Sequence, residues 1–120
     1  MRQILIIDDK EAIAKVIANY FKEEYECIYC ENPLKGIQWL EKNTAPDLII
    51  LDLRMPFMTG EEFLMYIKNN ELFKSIPVVI LSSEDNSSNR IRLLENGAED
   101  FILKPFNPME LKVRLKKILK

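Results

Sequence analysis

Five polar side chains close apolar runs in this sequence, and together they could do chemistry. Asp8 and Asp9 follow Ile4–Ile7, Asp52 follows Leu48–Leu51, Ser82 follows Val78–Leu81, and Lys104 follows Phe101–Leu103. A phosphate-binding turn would leave its strand through glycines, whose bare backbone can approach an anion. The stretch ILIIDDKE, from Ile4 to Glu11, instead turns on adjacent carboxylates, which repel free phosphate and attract a cation. Two carboxylates about 4 Å apart repel by roughly 4 kcal/mol at an effective dielectric of 20, so three acids together demand a compensating cation. Lys104 supplies one charge. Hard oxygen ligands without histidine or thiolate favour Mg2+, or Mn2+ in its place, for the rest. A carboxylate beside such an ion can act as a nucleophile toward phosphorus, forming an acyl phosphate, while Lys104 and the Ser82 hydroxyl hold the equatorial oxygens. For Asp8 and Asp9 alone a plainer alternative stays open, with Asp9 as a helix N-cap before Glu11 and Asp8 as a solvated turn residue.

The elements that must position these residues alternate. Strand-like runs occupy Ile4–Ile7, Cys27–Cys30, Leu48–Leu51, Val78–Leu81 and Phe101–Leu103. Their lack of polar alternation implies burial on both faces. Between them apolar residues recur at helical spacing: Ile13, Val16, Ile17, Tyr20 and Phe21; Leu34, Ile37 and Leu40; Phe63, Leu64 and Ile67; Ile91 and Leu94; Leu111, Leu115 and Ile118. Pro33 and Pro108 suit first turns of helices, Asn107 an N-cap and Gly97 a C-terminal cap. Strand–helix repeated five times predicts an α/β fold, a five-stranded parallel sheet wound on both faces. In such sheets ligands sit beyond the carboxyl ends of the strands, where the five polar residues fall.

The chain has 120 residues, 48% hydrophobic and 30% charged, the composition of one globular domain over residues 1–120. Lys plus Arg number 17 against 19 acids, a net charge of −2 that gives no general attraction to nucleic acid or to a membrane surface. No early apolar run is long enough for a signal peptide core or a membrane span, so a cytoplasmic location is expected. The pair Cys27 and Cys30 forms C-x-x-C inside a β-rich segment, where residues three apart point to opposite faces. With no histidine in the chain, the pair reads as two small apolar side chains and not as a redox or zinc site.

In order along the chain stand IIDD (Ile6–Asp9), PDLIILDLRMP (Pro46–Pro56), Gly60, VVILSS (Val78–Ser83), Gly97-Ala98 and FILKPF (Phe101–Phe106). Together they make the sequence resemble, over essentially its whole length, the receiver domain of a two-component response regulator, CheY-like. The resemblance implies the flavodoxin-like strand order 2-1-3-4-5. It implies that Asp52 accepts a phosphoryl group from a sensor histidine kinase or histidine phosphotransfer protein. Asp8, Asp9, Asp52 and the backbone carbonyl of Arg54 would then hold Mg2+. Ser82 matches the switch hydroxyl, Lys104 the phosphate-pairing lysine and Phe101 the switch aromatic, here without the phenol hydroxyl of the more frequent tyrosine. Pro56, Gly60 and Pro105 match the family's loop positions, and the Lys104-Pro105 bond is often cis there. Arg54 and Glu84 match positions that tune the dephosphorylation rate, and their opposite charges suggest a gate across the site's mouth. The output surface would be helix 4, strand 5 and helix 5, with dimerisation through it on phosphorylation. The effector would be an output protein or a domain outside this chain, with no direct contact to nucleic acid.

Rivals fare worse. A haloacid-dehalogenase-type phosphatase needs a second Asp two residues after the first, where this chain has Arg54. A flavodoxin phosphate loop and a G-x-x-x-x-G-K-[ST] loop are both missing. The remaining alternative, from another class, is a receiver-like protein-interaction module acting without phosphorylation.

Overall fold

All five apolar runs are strands in the computed structural model, which describes residues 1–84 and 86–120. β1 (Arg2–Ile7), β2 (Tyr25–Cys30), β3 (Leu48–Leu51), β4 (Val78–Ser82) and β5 (Asp100–Leu103) alternate with five helices. These are α1 (Glu11–Phe21), α2 (Pro33–Lys42), α3 (Gly60–Lys68), α4 (Ser87–Glu95) and α5 (Pro108–Ile118). The strands form one sheet in the order β2-β1-β3-β4-β5, and every pairing is parallel. Central position explains the unbroken apolar runs, since Leu48–Leu51 and Val78–Leu81 are fully buried by helices on both sides.

One layer packs α2, α3 and α4 on the sheet through Leu40, Phe63, Leu64, Ile67 and Leu93. The other packs α1 and α5 through Ala14, Ile17, Phe21, Leu111 and Leu115. The two cysteines divide as the strand period requires, Cys30 in the first layer and Cys27 against the second. Burial raises the Cys27 thiol to a pKa of about 11, with Glu26 adding to the rise, the opposite of an activated thiolate.

Some apolar residues that share a helical spacing face water. Val16 and Tyr20 are 42% and 44% exposed, and Ile91 and Leu94 are 56% and 40% exposed. The inward stripe of α1 is Ala14, Ile17 and Phe21, and that of α4 is Leu93 alone. A helix over an edge strand covers a narrow strip, so the period fixes which residues align without fixing which aligned set turns inward. The caps are better determined. Asn32, Asn86 and Asn107 each accept a backbone N–H at the start of α2, α4 and α5. Gly97 follows α4 at φ 113°, a left-handed position that favours glycine. Among the described residues no helix is long and apolar enough to cross a membrane.

Candidate functional site

The register of the sheet builds the site. Ile7 lies opposite Leu51 in the β1–β3 ladder, so Asp8 and Asp52 are the next residues on neighbouring strands. Each is still held by the sheet. Asp8 N donates to the Cys30 carbonyl at 3.2 Å, and Asp52 N to the Ile7 carbonyl at 2.9 Å. Leu103 pairs with Ser82, and Lys104 N donates to the Ser82 carbonyl at 2.8 Å. Neighbouring strand ends therefore bring Asp8, Asp52 and Lys104 together, with Ser82 closing the strand between those of Asp52 and Lys104. The chain leaving Asp52 is drawn tight at Gly60, whose N–H donates to the Leu53 carbonyl at 2.9 Å. A Cβ on Gly60 would lie 2.3 Å from the Asp52 carbonyl oxygen and 2.7 Å from Leu53 Cα, so only glycine fits this approach.

Carboxylate oxygens of Asp8, Asp9 and Asp52 all lie within 4.8 Å of one another. Asp8 and Asp52 are buried and Asp9 is exposed. Lys104 Nζ sits 3.0 Å from Asp8 Oδ2 and 3.6 Å from Asp52 Oδ1, with its side chain 12% exposed. Asp8 Oδ1 accepts the Lys10 N–H at 2.9 Å, and Asp52 Oδ1 accepts the Leu53 N–H at 2.9 Å. Burial pushes the Asp52 carboxyl above its ordinary range; Lys104 and the Leu53 N–H pull it down, while Asp8 and Asp9 add to the rise. One lysine is thus shared between Asp8 and Asp52, with the third acid, Asp9, beside them at the exposed side of a half-dry site. All the donors are hard oxygens, and such a group could hold a divalent cation of Mg2+ type. The plainer reading of the acidic pair does not hold, because Asp8 is 2% exposed. The N-cap position of α1 is Lys10, which makes no side-chain cap.

Ser82 is 1% exposed, and its Oγ accepts the Glu84 N–H at 3.0 Å, leaving its own O–H to donate elsewhere. Glu84 also pairs with Arg54 Nε, joining the β3–α3 loop to the β4–α4 loop across the mouth. Phe101, the match to the switch aromatic, lies inside at 8% exposure, packed with the α2–α4 layer. The Lys104-Pro105 bond is cis. Pro56 lies in the β3–α3 loop, exposed.

Sequence reasoning passed over three features here. Thr59 and Glu62 form a reciprocal capping box at the start of α3, legible as the T-x-x-E pattern. Arg92 of α4 makes a bidentate pair with Glu61 of α3, both bonds 2.9 Å, with no local sequence signal since the two residues are distant in the chain. Phe57 takes a positive φ of 76°. Its signal was a bulky residue between Pro56 and Gly60, where a turn former would be expected.

A doubly wound parallel sheet with an acid trio and a lysine at its carboxyl edge defines α/β domains whose carboxyl edge could hold a divalent cation. The chain belongs to the response regulator receiver domain family, whose model matches residues 4–116. It is 38% identical over 120 residues to the phosphate regulon transcriptional regulatory protein PhoB of Pseudomonas aeruginosa, covering 99% of this chain and 52% of that protein. It is 37% identical over 116 residues to histidine kinase P4 of Formosa agariphila, covering 97% of this chain and 8% of that one. Chemotaxis protein CheY4 of Vibrio cholerae superposes with a TM-score of 0.90 at 28% identity, covering 99% of both chains. The chain therefore spans about half the length of PhoB and a small part of the kinase.

Proposed function

We propose that this receiver domain takes a phosphoryl group onto Asp52 from a phospho-histidine of a sensor kinase or phosphotransfer protein. The observation that carries the reading is the convergence of three carboxylates within 4.8 Å of one another, two of which, Asp8 and Asp52, share the largely covered Lys104. In the transfer an Asp52 oxygen attacks phosphorus and the histidine N–P bond breaks. Its electron pair stays on nitrogen, and the imidazole leaves after taking a proton. Asp8, Asp9, Asp52 and the Arg54 carbonyl would hold Mg2+, which when bound offsets charge on the phosphoryl oxygens. Lys104 stands ready to leave its two carboxylates for a phosphoryl oxygen, and the free Ser82 O–H can donate to another. Drawing Ser82 toward phosphorus pulls on the Glu84 N–H bonded to it, and so on the β4–α4 loop. We infer that the shift is read on α4, β5 and α5, where Ile91, Leu94 and Leu103 are exposed, by an effector or a second copy. Phe101 would take part by repacking where it lies. The basic residues Lys112 and Lys116 of α5 pair with Glu24, and Arg114 pairs with Asp100 and Glu110. That supports an effector role without direct nucleic-acid contact, in the cytoplasm where phospho-histidine donors work.

The test is intact mass after incubation with phosphoramidate, with and without Mg2+. One added phosphoryl group that needs the ion, and that Lys104→Met loses or slows strongly, is expected. Labelling indifferent to the ion would overturn the metal assignment. No labelling under any condition would favour the alternative of a non-phosphorylated interaction module.

A further inference from the structure

Phe57 stands five residues after Asp52, at the tip of the β3–α3 loop. The Met58 N–H donates back to the Pro56 carbonyl at 2.9 Å, and Phe57 between them has φ 76°. That is a γ-turn of the strained, positive-φ kind. A phenylalanine there is an outlier, because its Cβ crowds the backbone in the left-handed region where glycine or asparagine would rest easily. The ring gains nothing from the fold in return, since it is 79% exposed. Its neighbours Met55 and Met58 pack on the core below and leave the ring as the projecting group. Between Met55 and Gly60 no residue carries a charge. A strained backbone that holds a large apolar side chain in water, on the loop that leaves the Asp52 carboxylate, calls for a use outside the fold.

We propose that Phe57 is an anchor that docks the protein bearing the phospho-histidine, and that it seats in an uncharged apolar pocket beside that histidine. The proposal rests on the phosphotransfer reading above. Bond formation at a buried carboxylate requires the donor's surface to cover the mouth of the site, and this loop forms one wall of that mouth. An exposed aromatic with two thioethers behind it is the side-chain type that carries binding energy in such contacts. The uncharged loop matches an apolar partner surface, while the Arg54–Glu84 pair on its flank already neutralises itself. Phe57 touches no reacting atom, so it sets partner affinity and leaves the chemistry of Asp52 alone.

The test compares two phosphodonors on wild type, Phe57→Asn and Phe57→Tyr. One donor is phosphoramidate. The other is the fastest among purified phosphorylated kinase and phosphotransfer domains. For Phe57→Asn, labelling by phosphoramidate should stay within twofold of wild type, and the thermal midpoint should hold or rise as backbone strain is relieved. With the protein donor kcat/KM should fall at least tenfold, mostly through KM, and Phe57→Tyr should restore it. An equal loss with both donors would show that Phe57 shapes the Asp52 site, and an unchanged protein-donor rate would show that nothing docks on it; either overturns the proposal. So does a change confined to the oligomeric state of the phosphorylated chain, which would make a second copy the occupant. Labelling of wild type by phosphoramidate but by no protein donor counts against docking, whereas labelling by neither refutes the phosphotransfer reading itself.

Discussion

Replacing Asp52 by asparagine should make the metal-free domain more stable. At an effective dielectric of 20, Lys104 at 3.6 Å attracts the Asp52 carboxylate by about 4.6 kcal/mol. Asp8, at no more than 4.8 Å, repels it by at least about 3.5 kcal/mol. Asp9 is exposed, and screening leaves it roughly 1 kcal/mol of repulsion. Attraction and repulsion nearly cancel, so the uncompensated part is the cost of burying the charge, the largest cause of the raised Asp52 pKa. An amide of the same shape can still accept the Leu53 N–H and escapes most of that cost. We expect a gain of about 1–2 kcal/mol, or about 5 °C in Tm for a domain of this size. The sign with pH follows. A raised folded-state pKa means the wild-type penalty is present above it, shrinks as pH falls through it, and is gone below the ordinary value of about 3.9. Urea unfolding of both proteins in EDTA, from pH 7.5 downward, should show a stability difference that narrows toward acid. Adding Mg2+ at pH 7.5 should narrow it too, by favouring the wild type. An asparagine variant no more stable than wild type without metal, or a difference that widens in acid, would refute the reasoning.

Three further outcomes are expected. Arg54→Ala and Glu84→Ala should each shorten the acyl phosphate lifetime severalfold while costing only about 0–1 kcal/mol of stability, and the double variant should add little; additive effects would show that the pair does not act as one gate. Gly60→Ala should destabilise by about 3 kcal/mol or more in urea, because the added Cβ meets backbone atoms that cannot turn aside; a stable variant with normal labelling would show that the loop can open at no cost. With its pKa raised to about 11 from an ordinary 9.0, Cys27 should react with iodoacetamide at pH 8 at least about tenfold more slowly than in the urea-unfolded chain, the loss of thiolate being partly offset by its greater nucleophilicity, and equal rates would contradict its burial.

What the sequence could say about this fold depended on the kind of signal. Strands β1, β3 and β4 declared themselves because a strand buried on both faces must be apolar throughout, and the carboxyl-edge rule then collected Asp8, Asp52, Ser82 and Lys104. The helices declared themselves by period, yet Ile91 and Leu94 share a face that turns to water. Which face is inward depends on where the sheet lies, and a periodic pattern carries no such reference. That Lys104 is shared between Asp8 and Asp52 could not be read locally, since it depends on the β4–β5 register across 52 residues of chain from Asp52. The opposite charges of Arg54 and Glu84 did suggest their pairing. The Arg92–Glu61 bridge has no counterpart in spacing, because α3 and α4 meet only through the fold. The resemblance marked Phe101 as the switch aromatic, but its packing with Leu93 and Ala98 in one layer depends on the fold and has no local signal.

Which atom takes the phosphoryl group decides whether Asp52 is the nucleophile. Wild type labelled by phosphoramidate and Mg2+, then trapped by borohydride or hydroxylamine and cleaved to peptides, should carry its modification on Asp52 and nowhere else. Asp52→Asn should carry none. A modification at Asp8, Asp9 or Ser82 in the wild type, or full labelling of Asp52→Asn, would contradict the assignment of Asp52 as the nucleophile.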